Sequence, residues 1–324
     1  MEKKIKVGIV GAGGRAHFQT QSIIETGIGE PAIVYSPFEE EARKFSEKFG
    51  TKYTSSIEDI FNNPDLTAIT ISTPNATHYS IAKKCLENNK HVLVEYPPVL
   101  SIQELDDLIN IARSKSLVYW VSLTQILENP FYTMKKNISS IGQPIFSYYT
   151  YVSSFLGGWY ADPELCGPLY AAQHFHFVSQ LLELEHDAES VSAFENIKYS
   201  DDNKKMVATS SIMVLKFPSG HIATIEFAMG IKNARDFKVK FAGENGILYF
   251  DGNKLYLETK QTGKKELQTE ESNLGIDTAN FLKNVADRRM NVDTAIKARK
   301  ILKTCLCAEM SAKEKRIVET GQSE

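Results

Sequence analysis

A glycine-rich turn near the start of the chain has the residue types of a phosphate-binding loop. It follows the β-branched apolar run Ile5–Val10 directly and opens a helical pattern, in the spacing G-x-G-x-x-A. Its residues are Gly11, Ala12, Gly13, Gly14, Arg15 and Ala16. Gly11 permits the tight bend, Gly13 lets the backbone approach a pyrophosphate, and the helix N-terminus presents free N–H groups to it. The pattern predicts dinucleotide binding; a glycine turn that serves packing alone is the alternative.

A carboxylate and a phenol stand where another strand must end. Residues 92–94 are apolar and partly β-branched, and Glu95 and Tyr96 follow them before Pro97 and Pro98, which cannot donate a ladder hydrogen bond. Open α/β sheets bind ligands at the carboxyl ends of their parallel strands. Glu95 and Tyr96 are therefore candidate site residues, and an ordinary strand exit with a surface glutamate is the alternative.

The end of the second predicted strand bears on the choice of cofactor. NAD-binding folds place an acid here to hold the ribose hydroxyls, whereas this chain has Ser36. Without that carboxylate a 2′-phosphate is not repelled, but no arginine follows to clamp it. The choice between NAD and NADP stays open, with a slight preference for NADP.

A third strand end adds polar groups beside the glycine turn. Thr73, Pro74 and Asn75 follow a predicted strand over residues 68–72, and His78 opens the next helix. These four residues are candidate cofactor contacts. As alternatives, Asn75 caps the helix and His78 is a hydrogen-bonded residue at its start.

Two histidines lie on an aromatic-rich helical pattern in the second half of the chain. His174 and His176 occur in LYAAQHFHFVSQLLEL, a helix predicted to begin near Pro168. Residues two apart point to different faces of a helix, so we expect at most one to face a cleft. His176 is the stronger candidate; a packed core with hydrogen-bonded imidazoles is the alternative.

The order of elements predicts two domains of different class. Residues 1–122 alternate strand and helix with short connections, which is typical of a doubly wound parallel sheet. Residues 123–324 carry a run of strands without intervening helices, which predicts an α+β domain with an open, largely antiparallel mixed sheet. The C-terminal helices are free to pack back on the first domain.

Composition narrows the class of partner. The 324-residue chain has a net charge of −3, which gives no reason to expect a nucleic-acid or membrane partner. No apolar run is long enough to span a bilayer, and no leader pattern opens the chain. The four cysteines have no metal-type spacing, so we expect no metal site, reduced thiols and a cytoplasmic location.

The segment AITISTPNATHYSIAKKCLENNKHVLVEYP, together with the glycine turn, resembles the glucose–fructose oxidoreductase / inositol dehydrogenase (GFO/IDH/MocA) family. The resemblance implies an N-terminal Rossmann domain, a C-terminal domain on an open mixed sheet, and NAD(P)-linked chemistry on sugars, polyols or related small molecules. It places Thr73, Pro74, Asn75 and His78 beside the nicotinamide half of the cofactor, with Glu95 next to them. It also implies a homodimer or homotetramer formed through the C-terminal sheet.

Two residues that the family uses are missing. Tyr96 replaces the lysine of the family's Glu-Lys-Pro, and the resulting Glu-Tyr-Pro also looks like that of the biliverdin reductases. The family helix carries D-x-x-x-H; if His176 matches its histidine, Ala172 stands at the aspartate. A tyrosine can donate a proton, although its pKa of about 10 makes it a poor base near neutrality without a cationic neighbour.

These residues support an NAD(P)-dependent oxidoreductase with an atypical site, acting on a small carbonyl or hydroxyl substrate. Tyr96 would donate a proton or anchor the substrate, His176 would be a second acid/base group, and Glu95 would be an orienting carboxylate. A non-catalytic dinucleotide-binding sensor or accessory protein is the main alternative. A second alternative is a lyase or hydrolase that retains and recycles its cofactor.

Overall fold

A computed structural model describes residues 4–321 and divides them into two compact units. The first contains the chain up to Leu123 together with Asn273–Arg299, and the second contains Thr124–Ser272 and the chain from Lys300 onward. The segment Asn273–Arg299 thus belongs to the first unit. The sequence predicts a boundary after residue 122 and leaves the C-terminal helices free to pack back on the first domain. No helix within residues 4–321 is long and apolar enough to cross a bilayer.

The first unit is built on a parallel sheet. In the described residues its six strands run in the order β3-β2-β1-β4-β5-β6, which is a doubly wound Rossmann sheet. The strands are β1 (Ile5–Val10), β2 (Gly29–Tyr35), β3 (Lys52–Thr54), β4 (Ala68–Ile71), β5 (His91–Val94) and β6 (Tyr119–Val121). The helices between them are α1 (Gly14–Thr26), α2 (Glu39–Phe49), α3 (Glu58–Phe61), α4 (His78–Glu87) and α5 (Ile102–Ser114).

Burial of apolar faces holds this unit together. Val7 and Ile9 of β1 are fully buried, and they pack in one cluster with Phe45 of α2 and Leu93 of β5. Strands buried on both faces are expected when helices cover both sides of a parallel sheet. The short strand β3, which has no buried residue, was not expected from the sequence.

The second unit is built on a mixed sheet. Its nine strands, counted over the described residues, run in the order β14-β13-β12-β11-β7-β10-β9-β8-β15, and only β7 and β10 pair in parallel. The strands are β7 (Pro144–Ser153), β8 (Ser190–Tyr199), β9 (Met206–Lys216), β10 (Ile222–Met229), β11 (Arg235–Gly243), β12 (Gly246–Phe250), β13 (Leu255–Thr259), β14 (Gly263–Leu267) and β15 (Val318–Glu319). The fold class predicted for both halves is confirmed.

Helices cover one face of this sheet, and the other face is open. The helices are α6 (Phe131–Asn137), α7 (Pro163–Cys166), α8 (Leu169–Gln173) and α9 (Phe175–Glu185). Inward residues such as Tyr149 and Ile225 are fully buried, whereas Phe146, Phe194 and Ile222 on the opposite face are 40%, 64% and 44% exposed. The prediction of one continuous helix from Pro168 was wrong, because the helix is interrupted at His174, which lies between α8 and α9.

Two helices close the chain. The helix α10 (Gly275–Ala286) lies in the first unit, where Phe281 and Leu282 join the buried cluster of β1. The helix α11 (Asp293–Glu314) crosses from the first unit to the second along its length. The four cysteines are buried thiols, as expected of small apolar residues.

Candidate functional site

The glycine turn has the geometry of an anion cradle. Gly11 has a φ of +103°, and a Cβ added there would lie 2.4 Å from the carbonyl oxygen of Ser72, so only glycine fits. Gly13 and Gly14 are exposed, and a Cβ at either position would meet no atom within 4 Å. Gly13 is also the N-cap of α1, in an extended conformation. The N-terminus of α1 therefore faces open space, as phosphate binding requires.

The end of β2 carries a carboxylate after all. The hydroxyl of Ser36 donates to Oε2 of Glu41 at 3.2 Å and accepts from the backbone N–H of Phe38 at 3.3 Å. Glu41 comes from the first turn of α2 and brings its charge back to the strand end. In the sequence Glu41 lies five positions after Ser36, in the first turn of a helix, so its proximity to the strand end is not evident there.

The segment after β4 is fixed from inside the unit. His78 is fully buried, and its Nδ1 and Nε2 each lie 2.9 Å from a carbonyl oxygen, those of Pro97 and Thr73. Burial lowers the pKa of His78, and its hydrogen bonds to the two carbonyls oppose that change. His78 therefore joins the loops after β4 and β5, as expected of a hydrogen-bonded residue at the start of a helix. Its expected contact with the cofactor stays a prediction.

Asn75 and Thr73 belong to the same segment. Asn75 is 2% exposed, and no side-chain hydrogen bond caps α4 within the described chain. Asn75 is thus not the helix cap that the sequence offered as an alternative. Thr73 is half-buried, and its hydroxyl lies 2.7 Å from that of Thr77. Pro74 lies between Thr73 and Asn75 and precedes the short turn that opens α4.

Glu95 is buried and held by the glycine-turn helix. Its Oε1 accepts from Nε of Arg15 at 3.0 Å and from Nε2 of Gln19 at 2.6 Å. The Oε1 of Gln19 accepts from the hydroxyl of Ser72 at 3.0 Å. Burial raises the pKa of Glu95, and the positive charge of Arg15 and these hydrogen bonds oppose that rise. A surface glutamate at an ordinary strand exit is therefore excluded. Tyr96, the next residue, is half-buried.

A second buried carboxylate stands beside Glu95. Asp277 of α10 accepts from Nε1 of Trp120 at 2.9 Å, and the hydroxyl of Ser122 hydrogen-bonds both Asp277 and Glu95. Burial raises the pKa of Asp277 to about 6; the charge of Glu95 contributes to this rise, and the hydrogen bonds from Trp120 and Ser122 oppose it. Asp277 is not among the site residues expected from the sequence. The signal for it in the sequence is its place four residues before Phe281, on the apolar face of α10.

Replacing Asp277 by asparagine is expected to stabilise the protein above pH 6. Because the folded-state pKa lies above the unfolded value of about 4, the native state keeps a proton that the unfolded state loses, and stability falls as pH rises from 4 to 6. Asp277→Asn removes this titration and keeps an acceptor for Trp120. We expect a gain of about 3 kcal/mol at pH 7 and almost none at pH 4 in urea unfolding. Equal gains at both pH values would contradict the assignment.

The two histidines of the second unit have different surroundings. His174 is fully buried; its Nε2 lies 2.7 Å from Oγ of Ser211, and its ring packs between those of Tyr170 and Phe227. Burial lowers the pKa of His174 to about 3, so it stays neutral and belongs to the core. His176 is half-buried and lines a cavity. The expectation that only one of the pair faces a cleft agrees with this arrangement.

That cavity has a volume of about 250 Å³ and lies wholly within the second unit. His176 lines it together with Ala172, one helical turn earlier, and with Gln173 and Met229. The remaining wall is formed by aromatic rings. Within residues 4–321, no group of three His, Cys, Asp or Glu side chains is placed to hold a metal ion.

The structure brings most of the predicted first-unit residues to one edge of a sheet. The glycine turn, Ser36, Thr73 and Glu95 follow β1, β2, β4 and β5, whose carboxyl ends share that edge. His176 lines the separate cavity of the second unit. The parallel sheet thus collects the groups that a dinucleotide site needs.

Residues 5–123 match the model of an oxidoreductase family with an NAD-binding Rossmann fold, GFO_IDH_MocA. A scyllo-inositol 2-dehydrogenase (NADP(+)) of Bacillus subtilis is 28% identical over 63% of this chain and 57% of its own length. A myo-inositol 2-dehydrogenase of Thermotoga maritima is 21% identical over 76% of this chain and 75% of its own. The chain spans between 39% and 57% of the length of the first four curated relatives it matches.

Solved structures share the fold over nearly the whole chain. Biliverdin reductase from Synechocystis, in complex with biliverdin and NADP+, superposes with a TM-score of 0.87 at 21% identity, covering 95% of this chain and 98% of that one. At this identity the likeness concerns the fold.

Proposed function

We propose that the chain is an NAD(P)-dependent oxidoreductase of the GFO/IDH/MocA family, whose model its residues 5–123 match. It transfers hydride between a nicotinamide cofactor and a small carbonyl or hydroxyl compound. The observation that carries the proposal is the open cradle at Gly13, whose helix is hydrogen-bonded through Arg15 to the strand-end carboxylate Glu95. Such a cradle at the carboxyl edge of a doubly wound sheet binds a dinucleotide.

We propose separate roles for three side chains. Tyr96 donates a proton or anchors the substrate, since a reduction needs one hydride and one proton. Glu95, held by Arg15 and Gln19, orients the end of β5 and with it Tyr96. His176, half-buried at its cavity, is a second acid/base group. The absence of the family's lysine and aspartate supports a reduction rather than the family's usual alcohol oxidation.

We propose NAD rather than NADP as the preferred cofactor. The NADP preference drawn from the sequence depends on an uncharged strand end at Ser36. Glu41 brings a carboxylate to within 3.2 Å of the Ser36 hydroxyl. A carboxylate at the end of the second strand hydrogen-bonds the ribose hydroxyls of NAD and repels a 2′-phosphate.

Titration of the protein with NADH and NADPH, followed by nicotinamide fluorescence, tests both proposals. We expect NADH to bind at least about tenfold more tightly than NADPH, and Glu41→Gln to narrow the difference. Lys44→Gln, on the same helix at an exposed ion pair with Glu40, is the control and is expected to change neither affinity. If neither cofactor binds, the oxidoreductase proposal falls. Binding without turnover of any carbonyl compound would favour the non-catalytic alternative.

Substrate class, assembly and location are also proposals. The names of the inositol dehydrogenases make cyclic sugar- or polyol-like compounds the first class to assay. The open sheet face with exposed Phe146, Phe194 and Ile222 supports a homodimer or homotetramer, since apolar patches of this kind mark interfaces. Buried thiols are consistent with a cytoplasmic location.

A further inference from the structure

The cavity of the second unit has the walls of an aromatic box. The rings of Tyr151, Phe155, Tyr160, Phe177 and Phe227 line it, and Met229 adds a thioether. Its volume of about 250 Å³ suits a small molecule rather than a peptide or a polymer. Ligand sites of this kind combine a mainly apolar wall with a few polar groups.

Three of the rings are fixed in place before any ligand binds. Tyr151 and Phe227 are stacked, with centroids 4.9 Å apart and planes 24° apart. Phe177 lies 6.1 Å from each of them, and Phe177 and Phe227 are buried. A preformed aromatic wall binds a flat ring without the entropic cost of ordering its side chains.

The polar groups of the cavity are few and partly engaged. Gln173 exchanges its side-chain hydrogen bonds with Thr209, at 3.2–3.3 Å. Among the nine residues that line the cavity, none is an aspartate, glutamate, lysine or arginine. The other polar atoms are the hydroxyls of Tyr151 and Tyr160 and the ring nitrogens of His176. A compound that is hydroxylated all round its ring would leave hydroxyls against the apolar wall, at a cost for each, and a sugar phosphate would find no lysine or arginine.

Ala172 contributes an apolar methyl group to the wall of the cavity. It is 4% exposed and lies one helical turn before His176, at the position where the family motif has aspartate. A carboxylate here could accept hydrogen bonds from substrate hydroxyls, whereas a methyl group offers only a surface for packing. On this side of the cavity His176 therefore presents an imidazole, and Ala172 presents a methyl group.

We propose that this cavity binds a planar aromatic ring of the substrate, and that the carbonyl to be reduced is conjugated to that ring. The reduction of this carbonyl rests on the proposed function, whereas the binding of the ring does not. The substrate is then an aryl aldehyde, an aryl ketone or a compound with a similarly conjugated ring, and cyclic polyols bind more weakly.

Binding of 2-acetonaphthone, measured by calorimetry on the full chain without cofactor, tests the inference. We expect one ketone to bind per chain, and myo-inositol at the same concentration to bind more weakly. Phe155→Ala removes an exposed wall of the cavity and is expected to weaken ketone binding about fivefold, the worth of one aromatic contact. Phe38→Ala is the matched control, because Phe38 is equally exposed (65% against 60%) but lies in the first unit, outside the cavity.

A second variant changes the chemistry of the wall. Ala172→Asp places a carboxylate in the cavity and is expected to abolish ketone binding; a thermal melt of the variant checks its fold. The inference is overturned if the ketone does not bind the natural chain, if myo-inositol binds more tightly, or if Phe155→Ala binds the ketone as well as Phe38→Ala does. NADH titration of the same samples reports separately on the proposed function, so a failure of either is recognised without the other.

Discussion

Replacing Gly13 by valine is expected to abolish cofactor binding while the fold is kept. A Cβ at Gly13 meets no atom within 4 Å, and its φ of −78° and ψ of −176° suit a β-branched residue. The added side chain fills the space that a pyrophosphate would occupy at the N-terminus of α1. We expect the Kd for NADH to rise by about 100-fold or more, with the melting temperature unchanged.

Gly11→Ala is the informative companion to Gly13→Val. Its Cβ would lie 2.4 Å from a backbone oxygen, at a φ of +103°, so it is expected to destabilise the first unit. The two glycines, two residues apart, thus separate loss of binding from loss of fold. If Gly13→Val binds NADH as well as the natural chain does, the turn serves packing alone.

Replacing Tyr96 by phenylalanine is expected to give the largest loss of turnover. The change keeps the ring and deletes the hydroxyl, so binding of NADH should be unaffected. If Tyr96 supplies the proton, the rate of NADH oxidation at saturating carbonyl substrate should fall by about 100-fold or more, the usual contribution of a general acid.

Tyr79→Phe serves as the control for Tyr96→Phe. The hydroxyl of Tyr79 donates to Asp107 at 2.9 Å and so joins the helices α4 and α5. Its loss is expected to leave turnover unchanged. If Tyr96→Phe also turns over normally, Tyr96 is a packing residue and the proton comes from another group, of which His176 is the first to test.

Arg15 explains why the glycine turn and Glu95 act together. Arg15 and Gln19 lie one helical turn apart on α1, and both donate to the same carboxylate oxygen. A buried carboxylate without such donors would destabilise the fold. Tyr96, which follows Glu95, carries no positive charge, so Arg15 supplies it. The first turn of α1 therefore combines two functions, a phosphate cradle on one side and support for the end of β5 on the other.

Local patterns in the sequence determined the framework of the first unit. The glycine turn follows a β-branched run, and strand ends are marked by Ser36, Thr73 and the double proline after Tyr96. Each of these signals depends on residues adjacent in the chain, which is why a single sequence sufficed for the doubly wound sheet. The run of strands after residue 190 fixed the class of the second unit in the same way.

Only the tertiary structure decided what surrounds the site residues. Asp277 reaches Trp120 across 157 positions of chain, and Glu41 folds back to Ser36 around the start of α2. His174 packs in the core against Ser211, and His176 lines a cavity; the sequence predicts that the two differ, and packing decides which of them is buried. Side-chain direction and burial depend on packing between segments that are distant in the chain, and a local sequence period does not encode such packing. Burial sets the pKa of a carboxylate, and side-chain direction sets which groups line a cavity.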